Sequence, residues 1–204
     1  MRLEPMDPAH VDDLVAAASE DRATYDYTLV PHDRSSMLEY VTAALDDEQS
    51  GWALPFVIRR AVDGRIVGTS RFLDLDYWEG PVAWPPGRPS AGGAGPPSVA
   101  EIGSTWLAAS AQRTPINTET KLLMLGHAFD TWRVARVTFK TDARNTRSRG
   151  GIERIGASFE GIRRAHTLAS DGTIRDSAYY SIIRAEWPAV ERSLRGRLRS
   201  TTSS

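Results

Sequence analysis

The sequence predicts an α/β (α+β) domain: a mixed, mostly antiparallel central sheet flanked by helices on both faces. Three observations carry this expectation. Apolar spacing switches between period two and three-to-four-residue steps, giving the order β-α-α-β-β-β-α-β-α-β-β-α. Two turn strings, Val62-Asp63-Gly64-Arg65 and Ser170-Asp171-Gly172-Thr173, each join consecutive strand-like runs into a hairpin. One strand–helix–strand passage, from Glu101 to Thr141, calls for a crossover and so for a parallel pair within the sheet.

In chain order, Arg2 to Glu4 reads as a short first strand. Asp7-Pro8 opens a helix with Val11, Leu14, Val15 and Ala18 on one face. Tyr25 to Pro31 is irregular and rich in aromatic and polar groups. Ser35 to Leu45 is a second helix, with Met37, Leu38, Val41 and Leu45 apolar. Trp52 to Ile58 and Arg65 to Leu73 are the strands of the first hairpin. Residues 79–98 hold half of the prolines and a glycine run, and read as a long mobile loop inserted in one domain spanning 1–199. Tyr77-Trp78, with Trp84 beyond, would anchor its start. Glu101 to Leu107 is a strand, followed by a polar turn and a helix carrying Leu122, Leu125, Phe129 and Trp132. Val134 to Thr141 alternates as a strand around Val137 and Phe139. Asn145 to Ile155 is a short helix closed by Gly156 at C′. Ala157 to Ala169 and Ile174 to Ile183 form the second hairpin. Pro188 to Leu198 is the last helix, with Arg192, Arg195, Arg197 and Arg199 on a solvated face, and 200–204 a disordered tail.

Composition narrows the function. A formal net charge of -1 gives no global field for nucleic acid or a membrane surface. With no cysteine, disulfides, thiolate metal sites and a cysteine nucleophile are excluded. No apolar run approaches membrane-spanning length, and MRLEPMDPAH does not read as a signal peptide. A cytoplasmic protein without a metal is the expectation.

The stretch from Ser110 to Asp130 organises the rest. A strand, a polar turn and a helix start present free backbone N–H groups and the positive end of a helix dipole, a place suited to an anion. Thr118 or Asn117 would cap that helix, and Glu119 complements its dipole.

The strand Glu101-Ile102-Gly103 before this turn, and Asp142-Ala143-Arg144-Asn145-Thr146-Arg147-Ser148 after the next strand, resemble the GNAT acetyltransferases. The branch most similar is the ribosomal-protein N-terminal acetyltransferases, through IERIGA (Ile152 to Ala157), EGIRRAH (Glu160 to His166) and DGTIRDSAYYSI (Asp171 to Ile182). The resemblance spans nearly the whole chain and implies an N-acetyltransferase, in which an amine attacks the thioester of acetyl-CoA directly. The acceptor would be a protein N-terminus or a small-molecule amine; a homodimer is left open.

The resemblance also implies site residues. In the family's phosphate turn, Gln112 and Arg113 fill the start, with Thr114 beside them. Pro115 stands at one glycine position and Asn117 at another. Pro115 lacks an N–H, and Asn117 would imitate glycine by tolerating positive φ. Arg113, Asn117 and Thr118 would compensate toward the phosphates. The strand end at Trp106, Leu107 and Ala108 would offer N–H groups to the pantetheine arm. Asn145 matches a pantetheine-binding position and Ser148 a proton donor to the leaving thiolate. Read from the residues alone, Asn145 is equally the cap of its helix. Glu101 is the candidate base, acting through water, or alternatively a strand-end carboxylate in a salt bridge. His166 and Tyr179 are lesser candidates. Tyr25, Asp26, Tyr27, Trp106 and Tyr179 would line the acceptor site. A competing reading is a binding module on the same fold that has lost catalysis, motivated by Pro115 and by Gly150-Gly151 inside a helix, each glycine costing about 1 kcal/mol there.

Overall fold

The computed structural model describes residues 1–78 and 95–202. Most of the expected Pro/Gly loop, Trp84 included, lies outside the described residues, as do 203 and 204.

The sheet has seven strands: β1 (Arg2–Pro5), β2 (Leu54–Arg59), β3 (Ile66–Asp76), β4 (Val99–Leu107), β5 (Arg136–Asp142), β6 (Ser158–Leu168) and β7 (Ile174–Ile183). Their order is β1-β2-β3-β4-β5-β7-β6. Every pair is antiparallel except β4–β5, the pair that the crossover helix demands.

The helices are α1 (Val11–Ala18), α2 (Arg34–Gln49), α3 (Ile116–Gly126), α4 (Thr146–Ile155) and α5 (Trp187–Thr202). Local capping sets the first two. Asp7 accepts from the Ala9 N–H at 2.8 Å and starts a 3₁₀ turn that runs into α1, and Asp33 caps α2 through the Ser36 N–H at 2.8 Å. The apolar stripes then choose faces. Leu14, Met37 and Val41 pack with Val57, Val67 and Trp106 in one core cluster. Leu125, Phe129, Trp187 and Leu194 pack with Phe72, Ile102, Val137 and Phe139 in the other. Two layers of helices therefore clamp the sheet, each fully buried large side chain contributing about 1.5–3 kcal/mol.

Three boundaries move. Helix α5 continues to Thr202, so residues 200–202, expected as tail, are helical. After α3 the chain widens into a π turn, His127–Thr131, which stacks Phe129 on Trp187 at 5.5 Å and brings Trp132 to 4.6 Å from Phe72. Ser98, placed in the loop by its neighbours, is pinned to the sheet: its N–H reaches Asp76 O at 2.8 Å and its hydroxyl accepts from Trp78 N–H at 2.9 Å. Tyr77 packs on the core as expected, whereas Trp78 is 63% exposed. No helix among the described residues is long and apolar enough to cross a membrane.

Candidate active site

The site arises where the sheet opens. Parallel pairing of β4 with β5 covers only Val99 to Glu101. Beyond Glu101, β4 stays with β3 while β5 continues along β7. A register shift against β3 places a bulge at residues 103–105, where Ser104 has φ +46. A side chain at Gly103 would lie 2.8 Å from Leu73 Cδ1 and 2.9 Å from Glu101 Oε1, so glycine makes room for the carboxylate. The resulting cavity, about 680 Å³, runs from the start of α3 past α4 to the Tyr25–Leu29 segment.

Trp106 and Leu107 line the cavity, but both pair with β3, at Thr69 and Gly68. Leu107 O accepts from Tyr25 Oη at 3.0 Å and from Gln112 Nε2 at 2.9 Å. Ala108 is fully buried outside the cavity lining, and its N–H donates to Val67 O at 2.8 Å. The edge of β4 that faces β5 is free from Ile102 onward, since Ile102 and Gly103 pair with β3 just as Trp106 and Leu107 do; of the three expected donors, the Ala108 N–H is the one already taken. Gln112 lines the cavity too, yet its amide is engaged by Leu107 O and by Thr24 Oγ1 at 3.0 Å, which makes it a brace for the wall.

Glu101 sits in the salt bridge that one of its two alternative readings expects. It is 3% exposed and forms an ion pair with Lys140 Nζ at 3.1 Å, while Lys140 also binds Asp74 at 3.0 Å. Burial pushes its carboxyl up to about 7, with Lys140 pulling the other way. A salt-bridged carboxylate with that affinity for protons can exchange them at neutral pH.

Lys121 was missed by sequence reasoning. It is 4% exposed, lines the cavity, and donates to Ser70 Oγ at 3.0 Å and Thr105 Oγ1 at 2.7 Å. Among the described residues no carboxylate pairs with it, and burial lowers its pKa to about 7. The available signal was periodicity: Lys121 shares a helix face with Leu125 and Ala128, four and seven residues on.

The start of α3 differs from expectation. Pro115, not Asn117 or Thr118, is the N-cap residue, and it makes no side-chain cap bond. Asn117 is helical; the left-handed residue of the turn is Arg113, at φ +58. A proline here sacrifices little, because N-terminal N–H groups have no partner inside the helix. Glu119 N–H closes on Pro115 O at 2.9 Å and Ile116 N–H on Thr114 Oγ1 at 3.3 Å. The N–H groups of Asn117 and Thr118 have no acceptor among the described residues, and both residues line the cavity. Arg113, Arg147, Arg154 and Arg197 line it as well, so Arg197 does not belong to a purely solvated face.

At the other helix start, Asn145 Oδ1 accepts from Ser148 N–H at 2.9 Å, which confirms the cap. Asn145 and Ser148 both line the cavity. The glycine pair is uncrowded by protein: a side-chain carbon at Gly150 or Gly151 would meet only the Arg154 guanidinium, at 3.5 and 3.8 Å. Gly151 borders the cavity, where a side chain would take up space.

Of the expected acceptor residues, Tyr25, Tyr27 and Trp106 line the cavity. Asp26 does not: it is exposed, outside the lining, because the 3₁₀ turn at Arg22–Tyr25 turns Tyr25 inward instead. Tyr179 stands beside Lys140 in the β5–β7 register but also outside the lining, its hydroxyl 3.3 Å from His166 Nε2. The strand neighbour that does reach the cavity is Arg175.

A family model for the acetyltransferase (GNAT) domain matches residues 1–158. No curated protein matched the chain. Among solved structures, a GCN5-related N-acetyltransferase from Brucella melitensis is 28% identical, with a TM-score of 0.77 over 96% of this chain and 80% of that one. Mycobacterium smegmatis RimJ, solved in complex with CoA-disulfide, shares the fold at 21% identity and TM-score 0.73, covering 97% of this chain and 88% of its own. RimL, a ribosomal alpha-N-protein acetyltransferase solved in complex with coenzyme A, does so at 20% identity and TM-score 0.67, covering 89% and 92%.

Proposed function

The chain belongs to the GNAT acetyltransferase family, and on that premise we propose that it is an N-acetyltransferase. It would take the acetyl group from acetyl-CoA and pass it to a primary amine, on a protein N-terminus or a small molecule, in the cytoplasm. The likeness of fold to RimJ and RimL supports the N-terminal acetyltransferase branch. The observation that carries the reading is one cavity lined both by an open helix N-terminus and by a buried carboxylate whose pKa burial raises to about 7.

The residues present suit CoA. The N–H groups of Asn117 and Thr118 and the guanidinium of Arg113 would hold phosphate oxygens. Gly151 would leave width for the pantetheine arm, and the amide of Asn145 and the β4 edge freed beyond Glu101 would flank it. Bound there, acetyl-CoA supplies an activated acyl group. Glu101 would receive the ammonium proton through water, and the Ser148 hydroxyl would give one to the departing sulfur. Holding amine and thioester in one cleft contributes through proximity.

The features that motivated a binding-only reading have structural accounts. Pro115 occupies a cap position, α4 runs unbroken through the glycine pair, and Gly151 borders the cavity. The test has two arms. At one hundred times its dissociation constant acetyl-CoA should stabilise the fold by about 2.7 kcal/mol, a melting shift of roughly 5–10 °C. Free thiol should appear when amines are added. An unmoved melting curve ends the CoA reading; a shift without thiol release on a broad amine panel leaves a binding module.

A further inference from the structure

We propose that the acceptor carries a carboxylate near its reactive amine and that Arg175 reads it, an inference resting on the acetyl-transfer reading of the same cavity. The basis is an arginine fixed in orientation with part of its donor set unused. Arg175, on β7, lines the cavity together with Glu101 and Lys140. Its Nε donates to Ser177 Oγ at 2.9 Å. Ser177 is fully buried, and its hydroxyl also meets His166 Nδ1 at 2.9 Å, the ring whose Nε2 meets Tyr179 Oη at 3.3 Å. Arg175, Ser177 and Tyr179 alternate on one face of β7, so this chain of contacts holds the guanidinium by its Nε edge.

The Nη fork has no carboxylate within ion-pair distance among the described residues. Neighbouring cations are already engaged. Lys140 holds Glu101 and Asp74, and Arg144 holds Asp142 and Asp171 at 2.8 and 2.9 Å. A guanidinium fork set in place this way matches a planar carboxylate through two parallel hydrogen bonds. With Glu101 taking the proton of the amine in the same cavity, the pair reads an amine and an acid on one molecule. A peptide with an acidic second residue, or a small amino acid, fits that description.

The test uses matched probes: peptide amides with Glu or Gln at the second position, and β-alanine against propylamine. Thiol release from acetyl-CoA is the readout. Wild-type kcat/KM should favour the acidic member by about tenfold. Arg175→Gln should abolish that ratio by raising KM for the acidic member, and Ser177→Ala, which only loosens the arginine, should reduce it. A wild-type ratio near one, or a ratio that survives in Arg175→Gln with the fold intact by melting, overturns the inference. Silence with every amine strikes the transfer reading instead. Calorimetry of the two peptides on CoA-saturated protein then decides: tighter binding of the acidic peptide upholds the role of Arg175, and equal binding refutes it.

Discussion

Two helices point their N-termini into one cavity, and they are finished differently. Helix α4 is capped by its own sequence, with Asn145 Oδ1 on the Ser148 N–H, and only the Arg147 N–H of its first turn is without an acceptor among the described residues. Helix α3 starts on Pro115 with no side-chain cap, and two first-turn N–H groups stay open. An unclosed helix end inside a cavity lined with arginines offers donors and partial positive charge to an anion, worth about 0.3–1 kcal/mol from the dipole alone. A closed end offers less of both, so what α4 brings to the cavity is its side chains. On the proposed acetyl-transfer reading, the contrast would give binding of the donor's phosphates to α3 and chemistry to α4.

The largest effect that would break this division is at Ser148. If α4 serves chemistry, Ser148→Ala should lower kcat by about 100-fold while the dissociation constant for acetyl-CoA, from calorimetry, moves less than about twofold. Equal losses in both would return α4 to binding. On the same reading, Glu101 would be the partner of Ser148 in moving protons. Its carboxyl is raised to about 7, and the base form exists above that value. The rate kcat/KM should therefore climb about tenfold per unit as pH approaches 7 from below, then level off. Glu101→Gln should remove that limb; persistence of the limb would place the base elsewhere.

Next in size is the α3 turn. Arg113 is held at φ +58, a conformation that costs a non-glycine residue about 1–2 kcal/mol. Arg113→Gly should thus raise the stability of the free protein by up to about 1 kcal/mol, after the greater freedom of glycine in the unfolded chain is counted. The same change removes a guanidinium from an exposed site, where a phosphate pair contributes about 1 kcal/mol, so acetyl-CoA should bind about fivefold more weakly. A higher melting temperature together with weaker binding is the expected signature. Binding left unchanged would show that the backbone N–H groups suffice.

Legibility followed the same division. Element order, the single parallel pair and both hairpins were readable, because each rests on local periodicity or turn chemistry. Asn145 and Ser148 were readable because a cap and its helix are neighbours in sequence. Resemblance supplied Glu101; its burial and its bond to Lys140 came only with the fold. The cap of α3 was misread. Asn and Thr are strong caps, but the N-cap lies two or three residues earlier at Pro115, where the fixed φ of proline suits a helix start. Arg175 and the extent of the splay were hidden for one reason. Each depends on which strands part, a long-range property that no local spacing records.

The smallest effect separates cap from ligand at Asn145 itself. Asn145→Ala removes the acceptor for Ser148 N–H and should cost about 1 kcal/mol, a fall of roughly 2–4 °C in melting temperature without ligand. Asn145→Asp keeps an oxygen in the same place, and aspartate caps as well as asparagine, so the free protein should melt within about 1 °C of wild type. The two changes agree, however, in removing the Nδ2 donor from the cavity wall, and the aspartate adds a negative charge beside an anionic cofactor. If Asn145 is also a ligand residue, both variants should bind acetyl-CoA more weakly, the aspartate at least as weakly as the alanine. If it is only a cap, the aspartate variant should bind like wild type apart from a charge effect that added salt erases. Calorimetry at low and high salt, beside melting of the free protein, tells these apart. Weak binding by Asn145→Asp that persists in salt would show that α4 holds the cofactor as well as the proton donor, and the assignment of its binding to α3 would have to be shared between the two helix starts.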